Sequence, residues 1–374
     1  MMTTDVYQKL RKYLDDLPGG YPAAETGVEL RILKRMFTPE EAWLATHLTL
    51  IAEEPRVVAR RAKIGKDEAA IRLEEMARKG LLFRIEETPG KPTYMAVQFV
   101  IGMWEFHVND LDPEFIADMD EYRPYLNFTA WAQPQLRTIP VGQSIHNELE
   151  TMTYERAEKL IADHDLFSIA PCICRREKKM IGEGCDRPEA YCLGFGIGAD
   201  YYIKNGIGRP SNKQEILAVL KAANDHTLVL QPGNSKEIVN ICCCCGCCCG
   251  VLTSLKKLPA PADFVSSPFT VQADVAKCEG CETCVDRCQM DALSMADEKV
   301  VLNSDRCIGC GLCVTTCPSG ALTLKRKPEK EQRKVPENIE AAAISHGQAR
   351  GKLGMGELIK LQAKSKLDRL LAPR

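Results

Sequence analysis

Apolar residues recur at helical spacing through the first part of the chain and then give way to short alternating stretches. Val28, Ile32 and Met36 belong to one apolar stripe, which predicts a helix over residues 28–36. Thr38 followed by Pro39 predicts the start of a second helix. Two further helices are predicted over residues 57–62 and 67–79. Two strands are predicted to follow over residues 81–85 and 94–99.

Helices followed by a two-stranded wing resemble a winged helix-turn-helix domain, here assigned to residues 1–110. Its charges are nearly balanced, with 16 Lys and Arg against 17 Asp and Glu. The helix that would recognise DNA carries four acidic side chains, Asp67, Glu68, Glu74 and Glu75. Acidic groups repel phosphates, so protein docking is expected there, and DNA binding through the basic run at residues 56–63 is the alternative.

Beyond this domain the pattern predicts a helical connector over residues 111–170 and a small cysteine-rich α/β domain over residues 171–262. A helix is expected from Ser211 and a strand over residues 227–230. A basic tail follows over residues 328–374. Its amphipathic end, residues 358–371, either covers a partner or belongs to a mobile solvated tail. The expected fold class is therefore α+β with several domains.

Composition places this 374-residue chain among ordinary globular proteins, with a net charge of -2 and 27% charged residues. No stretch is apolar enough for a membrane span, and the first residues have no apolar core typical of a secretory signal. We therefore expect a cytoplasmic protein. The 19 cysteines, against six histidines, all lie between Cys172 and Cys317, and in a reducing compartment they indicate metal ligands rather than disulfides.

The last eight cysteines form two runs with the spacing C-x2-C-x2-C-x3-C, the second followed by Pro318. This pattern resembles the bacterial dicluster ferredoxin domain, over residues 267–327, a small βαβ repeat. In that arrangement three cysteines of one run and the last cysteine of the other bind one [4Fe–4S] cluster. The first cluster is assigned to Cys278, Cys281, Cys284 and Cys317, and the second to Cys307, Cys310, Cys313 and Cys288.

Gln289 follows the first run at the position where that family usually has proline. Proline restricts the backbone but donates no ligand, so we expect a change in loop rigidity and no loss of a cluster. A zinc site is the alternative for these cysteines. Four-cysteine zinc sites, however, usually combine two C-x2-C pairs across a longer spacer.

The other eleven cysteines leave several interpretations open. Four of them predict a third [4Fe–4S] cluster near basic side chains, with zinc or free thiols as alternatives: Cys172, Cys174, Cys185 and Cys192. Residues 242–249 contain seven cysteines, and a further iron–sulfur site is expected from C-x2-C pairs whose choice stays open; Cys242, Cys245 and Cys248 are its candidate ligands. Packing as small buried hydrophobes is the alternative.

The two Cys-Cys-Gly tripeptides of this run resemble the cysteine-rich domain of heterodisulfide reductases, although only Cys247 separates them here. The whole chain resembles multidomain ferredoxin-like proteins of anaerobes. That resemblance implies single-electron exchange with a partner oxidoreductase and no catalysis by the chain alone, since no nucleophile–base pair is recognisable. The alternatives are a redox-sensing winged-helix regulator and a reductase subunit with a catalytic cysteine-rich cluster. Oligomeric state and reduction potentials stay open.

Overall fold

A computed structural model of the chain describes residues 2–130, 133–146 and 149–373. The helices over this part of the chain are α1 (Met2–Asp16), α2 (Val28–Met36), α3 (Pro39–Ala45), α4 (Pro55–Ala62), α5 (Lys66–Arg78), α6 (Trp104–Phe106), α7 (Pro113–Ala130), α8 (Ala157–Leu160), α9 (Ile173–Met180), α10 (Ile197–Lys204), α11 (Lys213–Asp225), α12 (Gly250–Lys256), α13 (Thr283–Arg287), α14 (Ile339–Ala349) and α15 (Met355–Leu371). Among the described helices none has the length and apolar character needed to cross a membrane.

The strands are β1 (Phe83–Ile85), β2 (Thr93–Met95), β3 (Phe167–Ala170), β4 (Cys192–Phe195), β5 (Arg209–Ser211), β6 (Val229–Pro232), β7 (Asn240–Cys244), β8 (Phe269–Ala273), β9 (Leu293–Ala296), β10 (Lys299–Leu302) and β11 (Leu322–Arg326). The chain forms two compact units. The first comprises Met1–Gln133, Tyr201–Ile207 and Ala343–Arg374, and the second comprises Pro134–Asp200 and Gly208–Ala342.

The first unit contains the helices and the hairpin that the apolar pattern predicts; α2 has the predicted bounds, and those of α4, α5, β1 and β2 are shifted by a few residues. Helix α3 begins at Pro39, and the Thr38 hydroxyl accepts a hydrogen bond from the Glu41 N–H (3.2 Å) while the Glu41 carboxylate accepts one from the Thr38 N–H (2.9 Å). This reciprocal cap satisfies two N–H groups that the helix itself leaves free. Strands β1 and β2 pair antiparallel, with Phe83 opposite Met95.

Segments distant in the chain complete the first unit. The buried Tyr201 donates its hydroxyl hydrogen to the carbonyls of Ala77 (2.9 Å) and Leu82 (2.7 Å). The tail also returns to this unit: Arg350 pairs with Asp15 (2.9 Å), and Arg61 pairs with Asp368 (2.7 Å). The amphipathic end of the tail is therefore helix α15, packed against α4.

An antiparallel five-stranded sheet, in the order β5-β3-β4-β7-β6, forms one part of the second unit. Helix α11, predicted from Ser211, begins at Lys213, and the Asn212 side chain accepts a hydrogen bond from the Glu215 N–H (3.0 Å). The cap is thus Asn212 and not Ser211. Both side chains favour the N-cap position, so the residue pattern alone does not distinguish them.

The other part of the second unit, residues 267–327, consists of two antiparallel strand pairs, β8 with β11 and β9 with β10. Their inward side chains, among them Phe269, Leu293 and Leu322, surround the cysteine-bearing loops and form one apolar core. Cys284, Cys307 and Cys313 belong to this core, so burial restricts the access of water to these three thiols.

The two parts of the second unit are joined by arginine side chains that donate to several acceptors. Arg287 donates to the carbonyls of Leu312 (2.9 Å) and Asn224 (2.8 Å). Arg306 donates to the carbonyls of Met290, Leu258 and Lys256, at 3.0 to 3.1 Å. These contacts hold the dicluster-like part beside the five-stranded sheet.

Candidate metal centres

Two of the eight C-terminal cysteines, Cys284 and Cys313, have other thiols of the same module as neighbours. Burial raises the pKa of Cys284, and the charges of the nearby Cys281, Cys317 and Cys278 raise it further. Burial likewise holds the pKa of Cys313 well above its ordinary value, reinforced first by the charges of Cys310, Cys307 and Cys288. Each buried thiol is thus surrounded by the other three of its predicted set.

One cavity of the second unit is lined by four of these thiols, those of Cys288, Cys307, Cys310 and Cys313. The remaining wall is largely apolar and includes Leu293, Ile308 and Leu312. Backbone N–H groups point at sulfur atoms in this region, from Ala292 to Cys288 (3.2 Å) and from Val300 to Cys278 (3.3 Å). Thiolates and N–H donors within an apolar shell are the environment in which [4Fe–4S] clusters are held.

Gln289 has a direct contact that a proline could not make. Its side-chain oxygen accepts a hydrogen bond from the Gly246 N–H (2.8 Å), and Gln289 is buried. A Cβ atom at position 246 would lie 2.2 Å from the Gln289 carbonyl oxygen, so only glycine fits. The departure from the usual proline therefore connects the loop after Cys288 to the cysteine run at residues 242–249.

Strand pairing brings together cysteines that are distant in the chain. Cys192 of β4 lies opposite Cys242 of β7. Side chains alternate along a strand, so Cys242 and Cys244 share one face of the sheet and the buried Cys243 occupies the other. Hydrogen bonds from the thiols of Cys192 and Cys244 hold the pKa of Cys242 well below its ordinary value.

Three more thiols extend this group. A hydrogen bond with Cys174 and then burial hold the pKa of Cys172 well above its ordinary value. Cys249 hydrogen-bonds both Cys174 and Cys244, and its pKa is also held well above the ordinary value. The contacts are continuous, so we call these residues the six-thiol group: Cys172, Cys174, Cys192, Cys242, Cys244 and Cys249.

Arg175 lies buried beside the six-thiol group. Its Nη1 donates to the Cys243 carbonyl (2.8 Å), whereas Nε and Nη2 are buried without a hydrogen-bond acceptor within the usual distance. Desolvation opposes its charge, but the neighbouring thiols of Cys172, Cys245 and Cys244 raise the pKa of this guanidinium. A buried cation among thiols fits a bound group that carries negative charge, as thiolate-ligated iron–sulfur clusters do.

The remaining thiols of the sheet region form a tighter set, which we call the four-thiol group: Cys185, Cys245, Cys247 and Cys248. Their sulfur atoms all lie within 4.8 Å of one another. Burial opposes ionisation of Cys185, but hydrogen bonds from Arg187, Cys247 and Cys248 lower its pKa to about 7.

The sequence interpretation grouped Cys185 with Cys172, Cys174 and Cys192. In the structure the Cys185 thiol lies 3.9 Å from Cys245 and 3.6 Å from Cys248, in the four-thiol group. The candidate set Cys242, Cys245 and Cys248 is also divided, because Cys242 belongs to the strand and the other two to the turn that follows it.

Sequence reasoning kept Cys244 and Cys247 only as an open C-x2-C pair and did not name Cys249 as a ligand. A signal for the first was available, because recognition of residues 240–244 as a strand predicts that Cys242 and Cys244 share a face. The other two depend on the turn at Gly246, whose geometry no spacing rule specifies.

Residues 277–321 match the family described as "4Fe-4S dicluster domain". Neither a curated protein nor a solved structure matches the chain. The dicluster domain implies two [4Fe–4S] clusters, and the further cysteines offer ligands for additional metal. Domain and cysteines together support an iron–sulfur electron-transfer role.

Proposed function

We propose that the protein is an electron carrier or electron-transfer subunit with three [4Fe–4S] clusters, which exchanges single electrons with a partner oxidoreductase. The first cluster is held by Cys278, Cys281, Cys284 and Cys317, and the second by Cys307, Cys310, Cys313 and Cys288. The grouping of charges around Cys284 and Cys313 supports this distribution of ligands.

The third cluster is assigned to the six-thiol group. Its ligands include Cys172, Cys174 and Cys192, and the fourth ligand comes from strand β7 or from the turn that follows it. The single observation that carries this proposal is the guanidinium of Arg175, which is buried and lies beside the thiols of Cys172 and Cys244. A guanidinium in this position offsets thiolate charge that burial alone would make unfavourable.

When bound, such clusters supply one-electron redox chemistry without making or breaking substrate bonds. The residues of the chain hold the thiolates, exclude water through the apolar wall around Leu293 and Leu312, and offset charge through Arg175. Gln289 keeps the loop after Cys288 beside Gly246, so ligand-bearing loops of both parts of the second unit stay together. An all-thiol set with no nucleophile–base pair favours electron transfer over catalysis by the chain alone.

The first unit is proposed to be a winged-helix-like domain that docks a protein and not DNA. The cations of the would-be recognition helix are paired with acids, Arg72 with Glu68 (2.7 Å) and Arg78 with Glu74 (3.1 Å). Arg61 of the basic run is buried against Asp368. Paired cations contribute little phosphate neutralisation, so we expect that the protein does not retard duplex DNA in gels at low salt. Salt-dependent DNA binding would instead favour the alternative function, a redox-sensing winged-helix regulator.

Metal analysis of anaerobically prepared full-length protein tests the third cluster. About twelve irons and as many acid-labile sulfides per chain are expected for three [4Fe–4S] clusters. Cys172→Ala should lose about four of each, whereas Cys243→Ala, whose side chain lies on the other face of β7, should keep them all. About eight irons in the unaltered protein would contradict the third cluster.

The protein is further proposed to be located in the cytoplasm of an anaerobe, because its 19 cysteines remain available as metal ligands only in a reducing compartment.

A further inference from the structure

The sulfur atoms of the four-thiol group lie closer together than cluster ligands do. Cys185 and Cys248 are 3.6 Å apart, Cys247 and Cys248 are 3.7 Å apart, and Cys185 and Cys245 are 3.9 Å apart. Four sulfurs bound tetrahedrally to one zinc ion at about 2.3 Å are separated by roughly 3.8 Å, the edge of the tetrahedron. The three sulfur–sulfur distances lie on either side of this value.

A [4Fe–4S] cubane requires a wider arrangement, because each thiolate binds a different iron atom. The four-thiol group is the one set of three or more metal-binding side chains, among the residues that the structure describes, whose ligand atoms all lie within 4.8 Å of one another. The eight thiols of the dicluster domain do not form such a set, although they are predicted cluster ligands. The six-thiol group also contains hydrogen-bonded pairs, but no three of its sulfur atoms all lie within 4.8 Å of one another.

From this spacing we propose that Cys185, Cys245, Cys247 and Cys248 bind a single Zn²⁺ ion in a tetrahedral, all-thiolate site. The donor set is soft and uniform, as zinc sites with four cysteines require. It is also complete, because four protein ligands leave no open position. The ion is therefore structural, and the site goes beyond the electron-transfer function proposed above.

The local backbone explains how three ligands from one short run reach one ion. Gly246 interrupts the run after Cys245, and the Cys249 N–H donates to the Cys245 carbonyl (3.1 Å), which closes a turn. Within this turn Cys245 and Cys248 are buried while Cys247 is exposed. The fourth ligand comes from residues after α9, so the ion cross-links two segments about sixty positions apart in sequence.

Four thiolates and one zinc ion carry a net negative charge, which Arg187 offsets. Its Nη1 lies 3.6 Å from the Cys247 sulfur. The same guanidinium is anchored by hydrogen bonds to the His226 carbonyl (2.9 Å) and the Thr227 hydroxyl (2.7 Å). A fixed cation beside the sulfurs stabilises the deprotonated ligands that zinc binding needs.

Elemental analysis of the full-length protein, purified anaerobically from zinc-supplemented cells, tests the site. About one zinc per chain is expected in the unaltered protein and in the control variant Cys243→Ser. Cys248→Ser should lose at least about 80% of that zinc, while its acid-labile sulfide stays unchanged. Cys247→Ser removes the exposed ligand and serves as a second variant if Cys248→Ser does not fold. X-ray absorption at the zinc edge should show four sulfurs at about 2.3 Å.

Absence of zinc from the unaltered protein, or loss of iron and sulfide together in Cys248→Ser, would overturn the proposal. An iron neighbour in the zinc absorption spectrum would do the same. These results are independent of the third cluster, which is measured by the iron and sulfide that Cys172→Ala loses. Each proposal can therefore fail while the other holds.

Discussion

The cysteines of residues 278–317 and those of residues 172–249 reach their neighbours by different routes. In the first region the spacing predicts that each group takes three thiols of one run and one thiol of the other, within a module of about forty residues. In the second region Cys192 meets Cys242 because β4 pairs with β7, and Cys185 meets Cys248 through a turn. Short loops determine the first arrangement, and sheet register determines the second.

Local spacing is therefore most informative where three of the four ligands lie on one loop. Within the C-x2-C-x2-C runs the chain has little freedom between ligands, so spacing limits which thiols converge. In the run at residues 242–249, alternation along β7 separates adjacent thiols and the turn at Gly246 redirects the rest. Adjacent cysteines consequently belong to different groups.

Loss of a thiol inside the dicluster module should have the largest effect and should stay local. Cys313→Ala removes a buried thiol from the second predicted set, and about four irons and four sulfides per chain should be lost. Iron and sulfide assays on anaerobic protein measure this loss, with Cys243→Ala as the control. A loss of clearly more than four irons would show that the middle region depends on the module.

Removal of the buried charge beside the six-thiol group should have the next largest effect. Arg175→Met leaves thiolates without their cation and should destabilise the protein by about 3 kcal/mol. Anaerobic urea titrations measure the change as a lower unfolding midpoint. Arg176→Met is the matched control, since Arg176 is partly exposed and paired with Glu189 at 2.6 Å, and its cost should stay below about 1 kcal/mol. Equal costs would contradict a special role for Arg175.

The contact between the two cysteine regions should have a smaller, measurable effect. Gln289→Ala removes the acceptor of the buried Gly246 N–H and should cost about 1–2 kcal/mol. Hydrogen exchange at the Gly246 amide should accelerate roughly tenfold as that local contact opens more often. The exposed Gln272 provides the control as Gln272→Ala. Unchanged exchange at Gly246 would mean that other contacts hold the two loops together.

The smallest effect is expected at the edge of the first predicted cluster. Burial opposes ionisation of Cys317, but hydrogen bonds from the Ser319 hydroxyl and nearby backbone N–H groups lower its pKa. Ser319→Ala removes one donor and should lower the reduction potential of the module by roughly 20–40 mV, because the more negative reduced state loses stabilisation. Potentiometric titration measures the shift, and the exposed Ser294→Ala should leave the potential unchanged.

Much of the local structure was predictable from residue pattern. The stripe at Val28, Ile32 and Met36 predicts helix α2 with the bounds that the structure has, because helical periodicity is a local property. The dicluster spacing predicts the module that the family comparison finds at residues 277–321. The return of the tail to the first unit was not predictable, since it depends on complementary positions such as Arg61 and Asp368.

Residue type and spacing alone indicate iron–sulfur binding, because the cysteines are many, eight of them follow the dicluster spacing, and histidine is scarce. The same spacing predicts the ligand set of each cluster in the dicluster module, where loop length restricts the choice. Only the tertiary structure divided the other cysteines, of which Cys243 lies on the opposite face of β7 from Cys242. Strand register and the fit of Gly246 against Gln289 decide that division, and both arise from packing between distant segments.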